Sequence, residues 1–514
     1  MQIDQRTSDA TLNLALDTLD KKKQALVFCG SKASTEKQAE VIAKKIKDVA
    51  LVNLSESIRK VLPAPTKQCE RLSKCVLRGT AFHHSGLHSK QRALIEDAFR
   101  EGKISIICCT PTLAAGIDLP AFRTILKDLK RYGGRFGMQY IPVLEYLQMA
   151  GRAGRPGYED FGESICVAKS DGSHDEIWER YILGVPEDIH SKLAVEPVLR
   201  TYLLSLISTE YVRTKKQIMD FFSETFWAHQ FKDLYELEKI IDKMLTKLAE
   251  WEFLQKAGAS GEFVSGDSLV GEKYDATPLG RRVAELYIDP LTAHDFVVGL
   301  RRTGITVKNI SYLHLICNSY EMYPPLRVKN KEWDLLQEEL VKYHPYLLVE
   351  EPSVYEPEFE DYFNAFKTAM MLDDWCDEKK DGELLEKYNC RPGESRAKIE
   401  RGYWLLFCAA EIARMIGKKG LVKDINKTRF RLRNGVKEEL LPLLKLEGIG
   451  RVRARTLFAN RIKTLKNVKE APIITLAQLI GGKLAASVKK QMGVEVKEIP
   501  KGRRKGQTSL SKYD

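Results

Sequence analysis

The chain has 514 residues, 82 Lys+Arg against 70 Asp+Glu for a net charge of +12, and is 44% apolar and 30% charged. At roughly 150 residues per domain this length suggests three to four domains, and the apolar content excludes a mainly disordered chain. No apolar run approaches the ~18 residues that cross a bilayer, the start MQIDQRTSDATLNL lacks the pattern of a secretory signal, and ten cysteines without a CxxC pair point to a reducing, cytoplasmic setting with no membrane contact.

Residues 1–185 alternate short β-rich runs with helical stretches. QALVFCG (24–30), ISIICCT (104–110), FRTILKD (122–128) and ESICVAK (163–169) are apolar on both faces and predict buried parallel strands. STEKQAEVIAKKIKDVA (34–50) and SKQRALIEDAFREG (89–102) predict helices between them, with Ser31 and Ser34 as N-caps after the first strand. Over 186–288, three amphipathic helices and the turn-rich GEFVSGDSLVGEKYDATPLG predict a winged helix. Residues 289–420 are almost all helical, broken at Pro324-Pro325, Pro352 and Pro392-Gly393. The stretch Glu350 to Asp361, six acids in twelve residues, reads as an exposed interhelical loop. Residues 421–498 hold two short helix–Gly–helix units, and 499–514 form a flexible basic tail. From Leu421 to Asp514 there are 23 Lys+Arg and 8 Asp+Glu, a net of +15, so the preceding 420 residues net to −3. A charge excess so confined points to nucleic acid; the plain alternative is a solvated basic surface. The expected fold class is thus an α/β domain followed by mostly α domains.

Three ordered motifs carry chemistry. Gln148-Met149-Ala150-Gly151-Arg152-Ala153-Gly154-Arg155-Pro156-Gly157 sets two arginines three apart on one helical face, flanked by glycines that permit close backbone approach. Such a pair of guanidinium forks can clamp a γ-phosphate as charge builds in phosphoryl transfer. Thr110-Pro111-Thr112-Leu113-Ala114-Ala115-Gly116-Ile117-Asp118-Leu119-Pro120-Ala121 follows a strand, where hydroxyls and amides hold phosphate or ribose. Ala81-Phe82-His83-His84-Ser85-Gly86-Leu87 precedes it. Cys69-x5-Cys75 followed by His83-His84 has no usual zinc spacing and reads as buried thiols, with no metal site expected.

The wording FHHSGL, TPTLAAGIDLPA and QMAGRAGRPGYED resembles the second RecA-like domain of superfamily-2 helicases, in the ski-like branch. Across essentially its whole length the chain is most similar to the archaeal Hjm-type DNA repair helicases, whose animal relatives include the helicase part of polymerase theta. The resemblance implies roles by position. Arg152 and Arg155 correspond to arginine fingers, and Gln148 to the ATP-contacting glutamine beside them. Gly116, Asp118 and Gly151 would line the nucleotide, and Thr110 and Thr112 would couple it to DNA. Phe28, Gly30 and Ser31 correspond to a motif contacting the DNA backbone, with His84 also on the DNA side. Between Lys127 and Tyr140 the family carries a β-hairpin that splits the duplex; Gly133-Gly134 suits its turn, and Tyr132, Phe136 or Tyr140 would stack on the last base pair, or else be buried rings of a plain loop. The region 289–420 resembles the family's helical ratchet domain, with its long helix starting after Pro392-Gly393. Arg396 and Trp404 match positions that stack on single-stranded bases; the alternative for Trp404 is core packing.

Leu446-Glu447-Gly448-Ile449-Gly450-Arg451-Val452-Arg453-Ala454-Arg455 reads as a helix-hairpin-helix. Its turn at Gly448 and Gly450 offers backbone N–H groups to phosphate, with Arg451, Arg453 and Arg455 adding charge. Gln507, Leu510 and Tyr513 resemble a sliding-clamp-binding box, although Asp514 stands where the box has a second aromatic. No GxxxxGK[ST] loop occurs, and Asp175-Glu176 does not follow a buried strand. ATP and Mg²⁺ are therefore expected mainly on a first RecA-like domain outside this chain. The leading expectation is the C-terminal part of an ATP-dependent 3′-to-5′ DNA helicase, a monomer acting on single-stranded and forked DNA in repair and inactive by itself. The alternatives are an ATPase-silent single-stranded-DNA-binding module and an RNA-directed ski-like fragment.

Overall fold

The computed structural model describes residues 3–47, 49–114, 116–132, 137–154, 160–168, 171–193, 195–256, 273–302 and 304–494. By its contacts the chain divides into two units. One comprises Met1–Val195, Met219–Leu237 and Lys380–Lys398; the other comprises Glu196–Ile218, Glu238–Lys379 and Ile399–Asp514.

The first unit runs α1 (Ala10–Asp20), β1 (Ala25–Phe28), α2 (Lys32–Ala43), α3 (Val52–Arg59), α4 (Lys67–Leu77), β2 (Thr80–His83), α5 (Ser89–Arg100), β3 (Ile106–Cys109), β4 (Arg123–Leu126), β5 (Lys130–Tyr132), β6 (Met138–Tyr140), α6 (Val143–Ala150), β7 (Glu163–Cys166) and α7 (Asp171–Ile177). Five strands form one sheet in the order β2-β3-β1-β4-β7, and every pairing is parallel. All four strands expected from the apolar runs are there. Strands β1 to β4 are buried throughout, the edge strand β2 included, whereas β7 at the other edge is only partly buried. Helix starts follow hydroxyl and carboxylate caps: Asp9 accepts from Leu12 N–H, Ser31 from Ser34 N–H and Thr66 from Cys69 N–H. Ser31, not Ser34, therefore caps α2.

Arg123 opens the otherwise largely apolar strand β4. It is fully buried, with its guanidinium held by Asp17, Glu163, the Thr18 hydroxyl and the Leu14 carbonyl. It ties α1 to β4 and β7. Cys69 and Cys75 face the core of α4, and burial pushes the Cys75 thiol up to about 12.

The chain continues as α8 (Glu196–Ser208), α9 (Lys215–Ser223), α10 (Phe226–Phe231), α11 (Leu234–Glu250), β8 (Leu254–Lys256), β9 (Tyr274–Ala276), α12 (Pro278–Leu286), α13 (Pro290–Arg301), α14 (Asn309–Cys317), α15 (Trp333–Tyr343), α16 (Glu358–Cys376), α17 (Asp381–Tyr388), α18 (Pro392–Met415), α19 (Lys419–Asn434), α20 (Arg451–Ala459), α21 (Leu465–Glu470), α22 (Ile473–Ile480) and α23 (Gly482–Gln491). Of these α10 and α17 belong to the first unit, α9, α11 and α18 are shared, and the rest build the second. Strands β8 and β9 pair antiparallel, Leu254 opposite Ala276; most of the expected wing, 257–272, lies outside the described residues.

Two readings change. The acidic stretch is not all loop, because α16 begins at Glu358 with Glu358, Glu360 and Asp361 in its first turn. Carboxylates there complement the positive end of the helix dipole. Helix α18 starts at Pro392 itself, where proline's fixed φ and missing N–H suit the first helical position. The C-terminal helices share a separate core around Leu440, Leu443, Leu457, Leu476 and Val488, with Gly481 at φ +87 between α22 and α23.

Candidate functional site

In a parallel sheet, ligands gather where strands end at their carboxyl edge. There β1 leads into Gly30-Ser31, β2 into His84, β3 into Thr110 and β4 into Lys127-Asp128.

The loop after β3 and the segment after α6 come together. Ala121 and Ala153 form a parallel bridge, with Ala121 N–H donating to the Arg152 carbonyl at 2.9 Å and Gly154 N–H to the Ala121 carbonyl at 2.7 Å. Arg152 then turns its guanidinium onto the other loop: Nη2 donates to the Ala114 carbonyl at 2.6 Å, and Nη1 lies 3.4 Å from an Asp118 carboxylate oxygen. Gln148, Gly151, Gly116 and Asp118 are exposed around it. Arg152 does not lie on a helical face as expected, because α6 ends at Ala150 with Gly151 as its C-cap. Glycines 151 and 154 stop the helix, and Gly154 takes φ +94. A side chain at Gly162 would meet the Gly154 nitrogen at 2.2 Å, so the close approach requires Gly162, while Gly154 is required by its positive φ. Arg155 lies outside the described residues.

The start of α6 is fixed by a residue the motifs do not contain. The Glu187 carboxylate accepts from Val143 N–H at 2.6 Å and Leu144 N–H at 3.3 Å, and these backbone bonds hold its pKa below the usual carboxylate range. Its distance of 44 residues from Val143 hides it from any local pattern. Thr110 and Thr112 share a hydroxyl–hydroxyl bond of 2.9 Å after β3.

Strands β5 and β6 form an antiparallel hairpin, Lys130 opposite Tyr140 and Tyr132 opposite Met138. The hairpin is where it was expected, while Gly133, Gly134 and Phe136 lie outside the described residues. Arg131 pairs with Glu145 of α6 at 2.8 Å. Tyr140 is engaged within the unit: its ring sits under Lys130 at 4.1 Å and Arg180 at 4.7 Å, and its hydroxyl donates to Glu176. Below the hairpin lies a cavity of about 580 Å³ lined by Gly30, Ser31, Asp128, Lys130, Met138 and Tyr140. A Cβ on Gly30 would lie 2.6 Å from the Lys130 carbonyl, which explains the glycine. Phe28 is fully buried in β1 and belongs to the core.

His84, expected at a DNA surface, has no exposed surface. Its Nδ1 accepts from Gly86 N–H at 3.1 Å, so the proton sits on Nε2, which donates to Glu36 at 3.2 Å. Glu36 also receives Gln68 at 2.8 Å, Arg71 at 2.6 Å and Arg391 at 3.1 Å. Burial opposes the charge on Glu36, but His84, Gln68 and Arg391 outweigh it and hold the carboxyl at about 2. Arg391 immediately precedes α18, and Lys32 pairs with Glu394 in its first turn. A Cβ on Gly393 would meet the Ser85 and Leu87 carbonyls at 2.3 and 2.4 Å. The FHHSGL loop is therefore the seat of the root of α18. The Pro392-Gly393 pair carried this signal: its glycine permits the approach.

Arg396 is half-buried in the first unit, and Trp404 half-buried in the second. Gly448, at φ +82, and Gly450 are exposed around buried Ile449, and Gly450 caps α20. The three arginines after it differ. Arg455 pairs with Glu378 and with Glu439 at 2.8 Å, and Arg451 lies 4.7 Å over the Trp375 ring and donates to the Lys379 carbonyl. Arg453 is exposed and donates to the Gly448 carbonyl at 2.9 Å. Gln507, Leu510 and Tyr513 lie outside the described residues. Among the described residues no three His, Cys, Asp or Glu side chains group to hold a metal.

Residues 8–157 match the family described as helicase conserved C-terminal domain, and residues 310–435 match archaeal helicase, domain 4. The chain is 37% identical over 503 residues to the ATP-dependent DNA helicase Hel308 of Pyrococcus abyssi, spanning 96% of this chain and 67% of that protein. The like-named protein of Pyrococcus horikoshii is 36% identical over the same shares, and that of Methanocella arvoryzae 35% identical over 98% and 68%.

Proposed function

This chain belongs to the Hel308-type family of archaeal superfamily-2 DNA helicases, and from that membership we propose that it forms the C-terminal part of an ATP-dependent 3′-to-5′ helicase acting on forked DNA in repair. The observation that carries the reading is the seating of Arg152 on the Ala114–Asp118 loop beside exposed Gln148 and Gly151. A guanidinium held at its Nη2 end by a carbonyl is pre-oriented, so little ordering remains when a phosphate arrives. Arg152 and Arg155 then act as arginine fingers on a nucleotide whose phosphates and Mg²⁺ are held by a first RecA-like domain. Leu144 and Leu147, 50% and 42% exposed on α6, offer that domain an apolar contact.

The hairpin of β5 and β6 is the strand separator, with Met138, 63% exposed, in register with Tyr132. Helices α8, α9 and α11 with β8 and β9 form the winged helix, α18 is the ratchet helix bearing Arg396 and Trp404, and Gly448-Ile449-Gly450 entering α20 forms the helix-hairpin-helix. Clamp binding would lie in Gln507, Leu510 and Tyr513; unchanged retention on immobilised clamp after deleting 507–514 would remove it.

The decisive experiment measures ATP hydrolysis, with and without single-stranded DNA, for this chain alone and with a family first domain added. Hydrolysis only after addition, abolished by Arg152→Ala, is the expected result. Hydrolysis by the chain alone would overturn the assignment of the phosphate site to another domain. No hydrolysis in either case, with tight DNA binding, would favour a DNA-binding module.

A further inference from the structure

We infer that the exposed face of α19 is a binding site for single-stranded nucleic acid, with Lys419, Lys423 and Arg433 on phosphates and Phe430 under a base. The inference rests on the DNA-binding reading above and gives it a surface that no motif marks.

At about 100° per residue, Lys419, Lys423, Phe430 and Arg433 fall within roughly 80° of arc and along about 21 Å of helix. All four are exposed, Phe430 by 46%. The opposite side buries Ile425, Thr428 and Leu432, so the orientation of the face is fixed. None of the three cations has a carboxylate partner among the described residues. The one acid of the helix, Asp424, lies 3.4 Å from Lys427, which also pairs with Glu438, and Arg431 is held by Asp377. The paired cations thus point away from this face and the unpaired ones form it.

Local helix physics argues against this pattern unless an anion visits. Lys418 is an N-cap without a side-chain bond, and Lys419 opens the helix, where the dipole disfavours cations. Lys419 and Lys423 are like charges one turn apart, as are Arg429 and Arg433. The arginines are also held in place. Arg429 lies 4.2 Å over the Tyr403 ring and 4.8 Å over the Phe407 ring of α18; Arg433 lies 5.1 Å over Tyr403 and donates to its hydroxyl at 3.2 Å. Stacking on two rings one turn apart fixes guanidiniums that would otherwise need ordering on binding. Cations tracking a backbone with an exposed ring between them suit a single strand, whose bases are open to stacking. An acidic protein would meet the charge but leave Phe430 unused.

The test is anisotropy of the intact chain with labelled oligothymidylate of about 25 nucleotides and with a blunt duplex, across salt. For Lys419→Gln/Lys423→Gln/Arg433→Gln, single-strand affinity should fall at least about tenfold and the log–log salt slope by about 2. Lys419→Arg/Lys423→Arg should retain binding, which separates lost charge from lost fold, and the triple variant should match the wild-type melting temperature. Phe430→Leu should weaken single-strand binding about fivefold and leave the duplex unchanged. If the wild type binds and the triple variant keeps affinity and slope, this site is wrong while the DNA-binding reading stands. Equal loss on duplex with no effect of Phe430→Leu would overturn the single-strand assignment. If the wild type binds no DNA, both readings fall.

Discussion

Two buried ionisable side chains lead to opposite kinds of expectation. Arg123 is charged and matched: Asp17 and Glu163 sit at 2.8 and 2.5 Å, so truncation leaves two carboxylates without their partner. Arg123→Ala should lose about 3 kcal/mol of stability in urea unfolding. His314 is unmatched by charge and buried 4.7 Å from the Tyr362 ring, and burial lowers its pKa to about 4. The folded chain therefore refuses a proton that the unfolded chain accepts near 6.5. Its contribution is fully present above pH 6.5 and is lost as pH falls towards 4, by about 3 kcal/mol. The pH dependence of unfolding in His314→Phe should be flatter than wild type by that amount; parallel curves would show that His314 does not titrate this way. Neither environment was legible in the sequence, because FRTILKD (122–128) and NISYLHLIC (309–317) mix polar with apolar residues and do not show what Arg123 or His314 faces. Only the partners across the fold decide whether such a residue is charged or neutral.

Elements were legible where their cause is local. Strands β1, β3 and β4 follow from apolar runs and α2 from Ser31, whereas the β5–β6 hairpin was expected only from the family resemblance. Ends set by distant contacts were not legible. Helix α6 begins where Glu187 receives its first N–H groups, and α18 begins where Arg391 and Gly393 settle against the FHHSGL loop. Gly393→Ala places a methyl 2.3 Å from the Ser85 carbonyl and should cost about 2 kcal/mol in urea unfolding. Gly382→Ala in α17 meets nothing within 4 Å and should be neutral to stabilising by about 0.5 kcal/mol. Equal effects of the two would argue that the root of α18 is not seated as described.

Over the whole molecule the charge is polarised, with +15 in the last 94 residues and −3 in the rest. If about six of those cations meet phosphates, affinity for single strands should fall roughly a hundredfold or more between 50 and 200 mM salt. A slope near zero, measured by anisotropy, would mean the charge is solvated surface. Not every cation is available, because Arg455 and Arg431 are paired with carboxylates within the second unit. Net charge therefore overstates the binding capacity of the segment.

The sequence by itself determined the parallel α/β sheet, the helical remainder and the order of three motifs, because apolar period, caps and glycine positions act over a few residues. It also carried the family, since wording such as TPTLAAGIDLPA and QMAGRAGRPGYED stands in the family's order along the chain. Tertiary structure alone decided that Arg152 leaves its helix to grip Ala114, that His84 faces Glu36 and not solvent, and that Arg455 is paired with carboxylates while Arg433, stacked on Tyr403, stays exposed. The reason is common to all of them. A charged or aromatic side chain takes its role from what lies opposite it, and what lies opposite is brought there by the fold from tens or hundreds of residues away.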